Sequence, residues 1–126
     1  MLAGLAIGKT SYPPPDVLLS SSQTVIGQPI AYPQGVPKVT AAIITVEPGR
    51  ETGLHLHRVP LFAYILNGEL TVDYGPDGKR AFKEGSAFLE ALNSEHNGRN
   101  TGGTATRILA VFMGAEGVAN TEMRPE

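Results

Sequence analysis

The chain of 126 residues has no cysteine and no tryptophan. Without thiols there is no disulfide framework, zinc ribbon or thiolate chemistry, so any metal here must be held by nitrogen and oxygen. Charge is sparse and balanced, with ten Lys and Arg against twelve Asp and Glu. That balance offers no electrostatic footprint for nucleic acid or an anionic membrane. No run approaches the roughly eighteen apolar residues of a membrane-spanning helix. A nucleophile elbow, a phosphate-cradling glycine loop and a dinucleotide fingerprint are all missing, so serine hydrolysis, nucleotide chemistry and hydride transfer have no support. The expected partner is a small molecule, neither nucleic acid nor membrane.

Glycine and proline, by contrast, are abundant, at fifteen and ten residues, and spread along the whole chain. This punctuation disfavours long helices and predicts an all-β domain of short strands joined by tight turns. The length suits one domain that buries roughly two thirds of its unfolded surface. Tyr12-Pro13-Pro14-Pro15 cannot join a central strand, so residues 1–15 are expected to form an extended arm and residues 16–126 the single β-domain. The opening MLAGLAIG lacks the basic region and longer apolar core of an export signal, which predicts a cytoplasmic protein. A signal remnant, and with it a periplasmic location, is the alternative.

Short β-prone runs at 16–20 and 23–26 precede a proline-punctuated loop, and the regular part starts after Lys38. Residues 39–47 are rich in β-branched side chains and end at Pro48-Gly49, a type II turn signature. Residues 53–58 form the next expected strand. A long strand pair at 62–74 is broken at Asn67-Gly68, where a turn or bulge fits. Beyond the break, Leu70, Val72 and Tyr74 alternate with Thr71 and Asp73, the period of a half-buried strand. Further strands are expected at 79–83, 86–92 and 104–113, the last with Ile108, Ala110 and Phe112 on one face. Nine or ten short strands in so small a domain suggest a jelly-roll barrel with a cavity.

There are only three histidines, and two form a His-x-His pair, His55 and His57, with His96 thirty-nine residues after the second. On a strand, positions 55 and 57 project from the same face and can converge on one ion. Imidazole is the commonest neutral ligand for mid-row transition metals. The site requires a fold that brings residue 96 beside the pair; two ordinary strand residues on a polar face are the plainer alternative.

The spacing Gly49, His55, His57, Leu61, Gly68 resembles the first motif of the cupin superfamily, G-x5-H-x-H-x3-E-x6-G, with Leu61 in place of the glutamate. Gly85, Ala91, Asn93, His96 and Asn100 follow the second motif, G-x5-P-x-G-x2-H-x3-N, with Ala91 and Asn93 replacing its proline and glycine. The resemblance implies a double-stranded β-helix barrel, often dimeric, with a metal in its mouth. It does not imply a reaction, because the fold hosts oxygenases, isomerases, decarboxylases and binding proteins.

His55, His57 and His96 are therefore the expected ligands of a divalent transition metal (Fe, Ni, Zn or Mn). Three neutral imidazoles leave the ion its full formal charge and open positions for water, oxygen or substrate. Glu90 shares a strand face with Phe88; it is a candidate catalytic residue, as fourth ligand, partner to a histidine N–H or general base, if that face lines the cavity. A solvent-facing strand charge is the alternative. Phe62, Tyr64 and Phe88 are candidates for the apolar wall of a substrate pocket. Arg58 and Arg99, beside motif residues, are candidates for binding a substrate carboxylate at the mouth, although surface arginines at loop edges are common. Asn100 is expected to act structurally, by bonding backbone at a turn. The functions in view are a metal-dependent dioxygenase on a small organic substrate, a non-catalytic binding or sensory module, and a metal-assisted isomerase or lyase. A homodimer is expected, with the arm or the first strand added to the partner's sheet.

Overall fold

The computed structural model describes residues 11–125, so the apolar opening and most of the expected arm lie outside the described residues. Nine strands make up the described fold, and none of its helices is long and apolar enough to cross a membrane. They are β1 (Pro37–Val46), β2 (His55–Leu56), β3 (Leu61–Asn67), β4 (Glu69–Asp73), β5 (Lys79–Lys83), β6 (Ala87–Leu89), β7 (Asn97–Asn100), β8 (Thr106–Ala115) and β9 (Glu122–Met123). All pairings are antiparallel. One sheet has the order β1-β8-β3-β6 and a second the order β5-β4-β7. The pair β2-β9 continues the second sheet through bridges from Glu51 to Arg99 and from His55 to His96.

The two sheets face each other across a core of Val46, Ala63, Ile65, Leu70, Val72, Tyr74, Phe88 and Ile108. Strand alternation puts Leu61, Ala63 and Ile65 inside, while the intervening Phe62 and Tyr64 face outward and are half-buried. In β8 the same period buries Thr106, Ile108, Ala110 and Phe112.

Asn67-Gly68 does break the long 62–74 segment, but β3 and β4 are not a hairpin: they belong to different sheets. A register shift between Ile65 and Asn67 bends β3, and Gly68 at φ 90° turns the chain across the barrel. A Cβ at Gly68 would lie 2.8 Å from Ala105 O and Thr106 Cα, so close approach as well as backbone conformation demands glycine there. The runs at 16–20 and 23–26 form no strand; they make one bridge, Gln23 to Pro29, and one backbone hydrogen bond to β6, from Val25 N–H to Leu89 O at 2.8 Å. Prolines on either side deny these runs a continuous partner. The histidine strand is two residues long instead of six, and 86–92 pairs only over Ala87–Leu89. Strands β7 and β9 were not expected from sequence, since NGRN and the segment around Glu122 carry no apolar alternation.

Candidate metal centre

His55 and His96 are antiparallel bridge partners, each accepting the other's backbone N–H, at 3.0 and 2.8 Å. Adjacent strands therefore place the two imidazoles side by side, with ring centroids 4.4 Å apart. His57, two residues along, joins them from the same face. All three are buried, and their donor atoms lie within 4.8 Å of one another. Small side-chain movements suffice to bring three nitrogens to about 2.1 Å from one ion.

The backbone fixes the ring orientations. Nδ1–H of His55 donates to Gly53 O at 2.7 Å, that of His57 to Asn120 O at 2.9 Å and that of His96 to Ser94 O at 2.8 Å. A carbonyl only accepts, so each Nδ1 carries the proton and each Nε2 turns a bare lone pair toward the centre, the tautomer a metal requires. Burial holds His57 and His96 neutral, lowering each to about 4; the neighbouring histidines add to this, and the carbonyl bonds oppose it. His96 Nε2 is fully enclosed and has no hydrogen-bond partner. A buried polar atom without a partner is costly unless something binds it, so the donor set fits a metal.

The triad opens into a cavity of about 520 Å³, within the range of small-molecule sites. Its wall is mostly apolar, from Ile44, Leu61, Leu70, Phe88 and Ile108 among others, and its polar rim includes Arg50, Glu51, Thr52 and Thr121. Phe88 lines the cavity as expected. Phe62 and Tyr64 do not, because they sit one residue out of phase on β3 and face away. Arg58 is also outside it: its guanidinium is exposed and bound to Glu122 at 2.8 and 3.3 Å. That pairing holds Arg58 above and Glu122 below their ordinary values. Arg99 pairs with Glu51 at 3.3 Å. The arginine that does line the cavity is Arg50, which forms no ion pair among the described residues.

Glu90 does not face solvent; it is buried and lines the cavity. Burial raises its carboxyl above the ordinary range, partly offset by hydrogen bonds from Tyr74 and the Ala91 amide. The Tyr74 hydroxyl donates to Oε1 at 2.6 Å and Ala91 N–H to the same oxygen at 2.8 Å. Burial, and then the carboxylate beside it, push Tyr74 far up, so it remains the donor.

Sequence reasoning missed Tyr74 as a polar partner, because alternation marks it only as core. It also missed Asn120, Thr121 and Met123. These reach the site because β9 pairs with β2, for which the local sequence gives no signal. Asn100 is structural as expected: Nδ2 donates to Val46 O at 2.9 Å and Thr104 O at 2.8 Å, and Oδ1 accepts from Gly102 N–H at 2.8 Å.

This combination of a β-barrel and an inward-facing histidine cluster defines a cupin. A Cupin domain profile matches residues 42–112, more than half of the chain, and the protein belongs to that family. No curated protein sequence matches it. Among solved structures, the Lactobacillus farciminis oxalate decarboxylase formate complex aligns at TM-score 0.58 and 21% identity, over 68% of this chain and 26% of its own. Bacillus subtilis oxalate decarboxylase, described for its Mn(II) centres, aligns at 0.56 and 22%, over 68% and 23%. A structure from a study of the DMSP lyases RdDddP and RnDddQII aligns at 0.59 and 15%, over 69% and 44%. The chain thus spans about a quarter of the oxalate decarboxylases, and at these identities the likeness is one of fold.

Proposed function

We propose that this cupin holds a divalent transition metal on His55, His57 and His96 and acts as a metal-dependent oxygenase on a small organic molecule bound in the adjoining cavity. The observation that carries the reading is the convergence of three Nε2 lone pairs, each fixed by a backbone carbonyl on Nδ1, at the floor of an apolar cavity. A bound ion of this class supplies Lewis acidity and open coordination positions. The protein's own part is to keep the imidazoles neutral, exclude bulk water with the apolar wall, and orient the substrate. Arg50, which lines the cavity, is the arginine placed to recognise a substrate carboxylate, the role for which Arg58 and Arg99 were candidates from sequence.

Elemental analysis of protein purified without a histidine tag identifies the resident metal. Anaerobic loading with ferrous iron, followed by oxygen-uptake assays over diketones, thiols and phenolics, then tests the reaction class. Uptake with one class supports the oxygenase; none with any class rules it out. A second reading, a metal-assisted lyase or isomerase, is favoured by Glu90, because such chemistry needs a carboxylate beside the metal and substrate. It predicts turnover without oxygen consumption.

We further propose a homodimer. The outer face of the β1-β8-β3-β6 sheet carries Val39, Ala41 and Ile43 beside Leu109, Val111 and Phe62, an apolar surface on an edge strand. Tyr12, Val17 and Leu18 of the preceding segment are likewise exposed. Sedimentation is expected to show a dimer at micromolar concentration, with Ile43→Glu shifting it toward monomer.

A further inference from the structure

The two oxygens of the Glu90 carboxylate are treated very differently. Oε1 takes both available donors, Tyr74 O–H and Ala91 N–H. Oε2 takes none among the described residues, and stands 3.7 Å from His96 Nε2. That nitrogen is the enclosed atom without a hydrogen-bond partner, and its proton sits on the far side of the ring, on Nδ1. The second carboxylate oxygen and the bare imidazole nitrogen therefore face each other inside the barrel. Their separation exceeds the reach of a hydrogen bond but matches the roughly 3 to 4 Å between donors that share an ion at about 2.1 Å each. The cluster of donor atoms within 4.8 Å of one another comprises the three histidines alone, so the Glu90 side chain must move inward to join them.

Register adds an independent observation. Phe62 pairs with Leu89, and Glu90 N–H donates to Leu61 O at 2.9 Å, so Leu61 and Glu90 are cross-strand neighbours. Both line the cavity. Glu90 thus stands directly across the ladder from Leu61, on the same inward face as the position four residues after His57.

We infer that Glu90 Oε2 is a fourth protein ligand to the metal held by the three histidines, with Tyr74 as the residue that positions it; this rests on the triad binding a metal. The resulting donor set would be three imidazoles and one carboxylate, which would lower the net charge at a bound ion. Tyr74 and the Ala91 amide hold Oε1, so the carboxylate enters the ion's coordination through Oε2 alone.

The test uses full-length protein stripped of metal by chelation and titrated with cobalt(II), followed by calorimetry and by visible absorption. Wild type is expected to bind one equivalent, and His96→Ala to lose binding. Glu90→Gln, which keeps the size and the partner for Tyr74, is expected to weaken cobalt binding at least tenfold and change its absorption spectrum. Unchanged affinity and spectrum in Glu90→Gln would overturn the inference while leaving the triad intact. Failure of wild type to bind would remove both. Glu90→Asp guards against misfolding of the first variant: it keeps the charge but shortens the reach, and a spectrum identical to wild type also counts against ligation. Tyr74→Phe is expected to alter the spectrum with a smaller loss of affinity than Glu90→Gln.

Discussion

Each histidine of the triad commits its Nδ1 proton to a backbone carbonyl, and for His55 and His96 that carbonyl belongs to the residue two positions earlier. The pattern is local, and so is the conformation that permits it. Asn93, shortly before His96, is the one non-glycine residue with positive φ, at 56°, among those described. Its position is the one that glycine holds in the cupin motif, and asparagine is among the few residues that tolerate this region. Asn93→Ala is expected to destabilise the protein by about 1 kcal/mol, whereas Asn93→Gly should differ from wild type by less than about half of that. Urea denaturation of both variants checks the ordering. Asn100→Ala is a harsher change. It strands two carbonyls and an amide at a buried turn, and is expected to cost about 2–3 kcal/mol in the same measurement. At this scale the sequence was largely readable. Motif spacing identified the histidines and Asn100, but could not show that Glu90 points inward, because one residue of phase decides it.

The elements explain where that reading stopped. Apolar alternation located β4 and β8 to within two or three residues, since each buries one face against the opposite sheet; the mostly exposed β1 and β5 were located by β-branched composition and by flanking turns. It could not locate β7 or β9, which are held by backbone pairing and carry few apolar side chains. Nor could it distinguish a hairpin at Asn67-Gly68 from a crossing between sheets. That choice depends on Thr106, whose Oγ1 accepts from Glu69 N–H at 3.1 Å and donates to Glu69 O at 2.6 Å, pinning the start of β4 beside β8. Phe62, Tyr64 and Arg58 were misplaced for a related reason: nearness in sequence to His57 says nothing of which side of β3 or of the following loop a side chain takes. Gly68→Ala is expected to cost about 2 kcal/mol or more, from strain at positive φ together with backbone overlap at Ala105 and Thr106. Thermal unfolding measures it, and a melting temperature within a degree of wild type would contradict the close packing described for this crossing.

At the scale of the whole molecule, the buried site ties stability to pH and to metal. In the metal-free fold, burial lowers His57 and His96 from 6.5 to about 4. Between those values the unfolded chain takes up protons at both positions that the folded chain refuses, so stability is complete above pH 6.5 and falls as pH drops toward 4. Each group contributes a slope of up to about 1.4 kcal/mol per pH unit. Glu90 acts in the opposite sense. Burial raises its carboxyl, so the folded chain retains a proton that the unfolded chain releases above its ordinary 4.5, and this contribution is lost as pH rises. Two histidines against one carboxyl leave a net loss on acidification. Calorimetry of chelated protein at pH 7, 6 and 5 is expected to show a falling melting temperature, and Glu90→Gln, lacking the opposing group, should fall more steeply. Adding a divalent transition ion at pH 7, at a free concentration one hundred times its Kd, should stabilise the fold by about 2.7 kcal/mol. That gain should shrink as pH falls, because protons compete for the same three Nε2 atoms. A melting temperature independent of both pH and metal would mean that the histidines are not held neutral at the floor of this barrel.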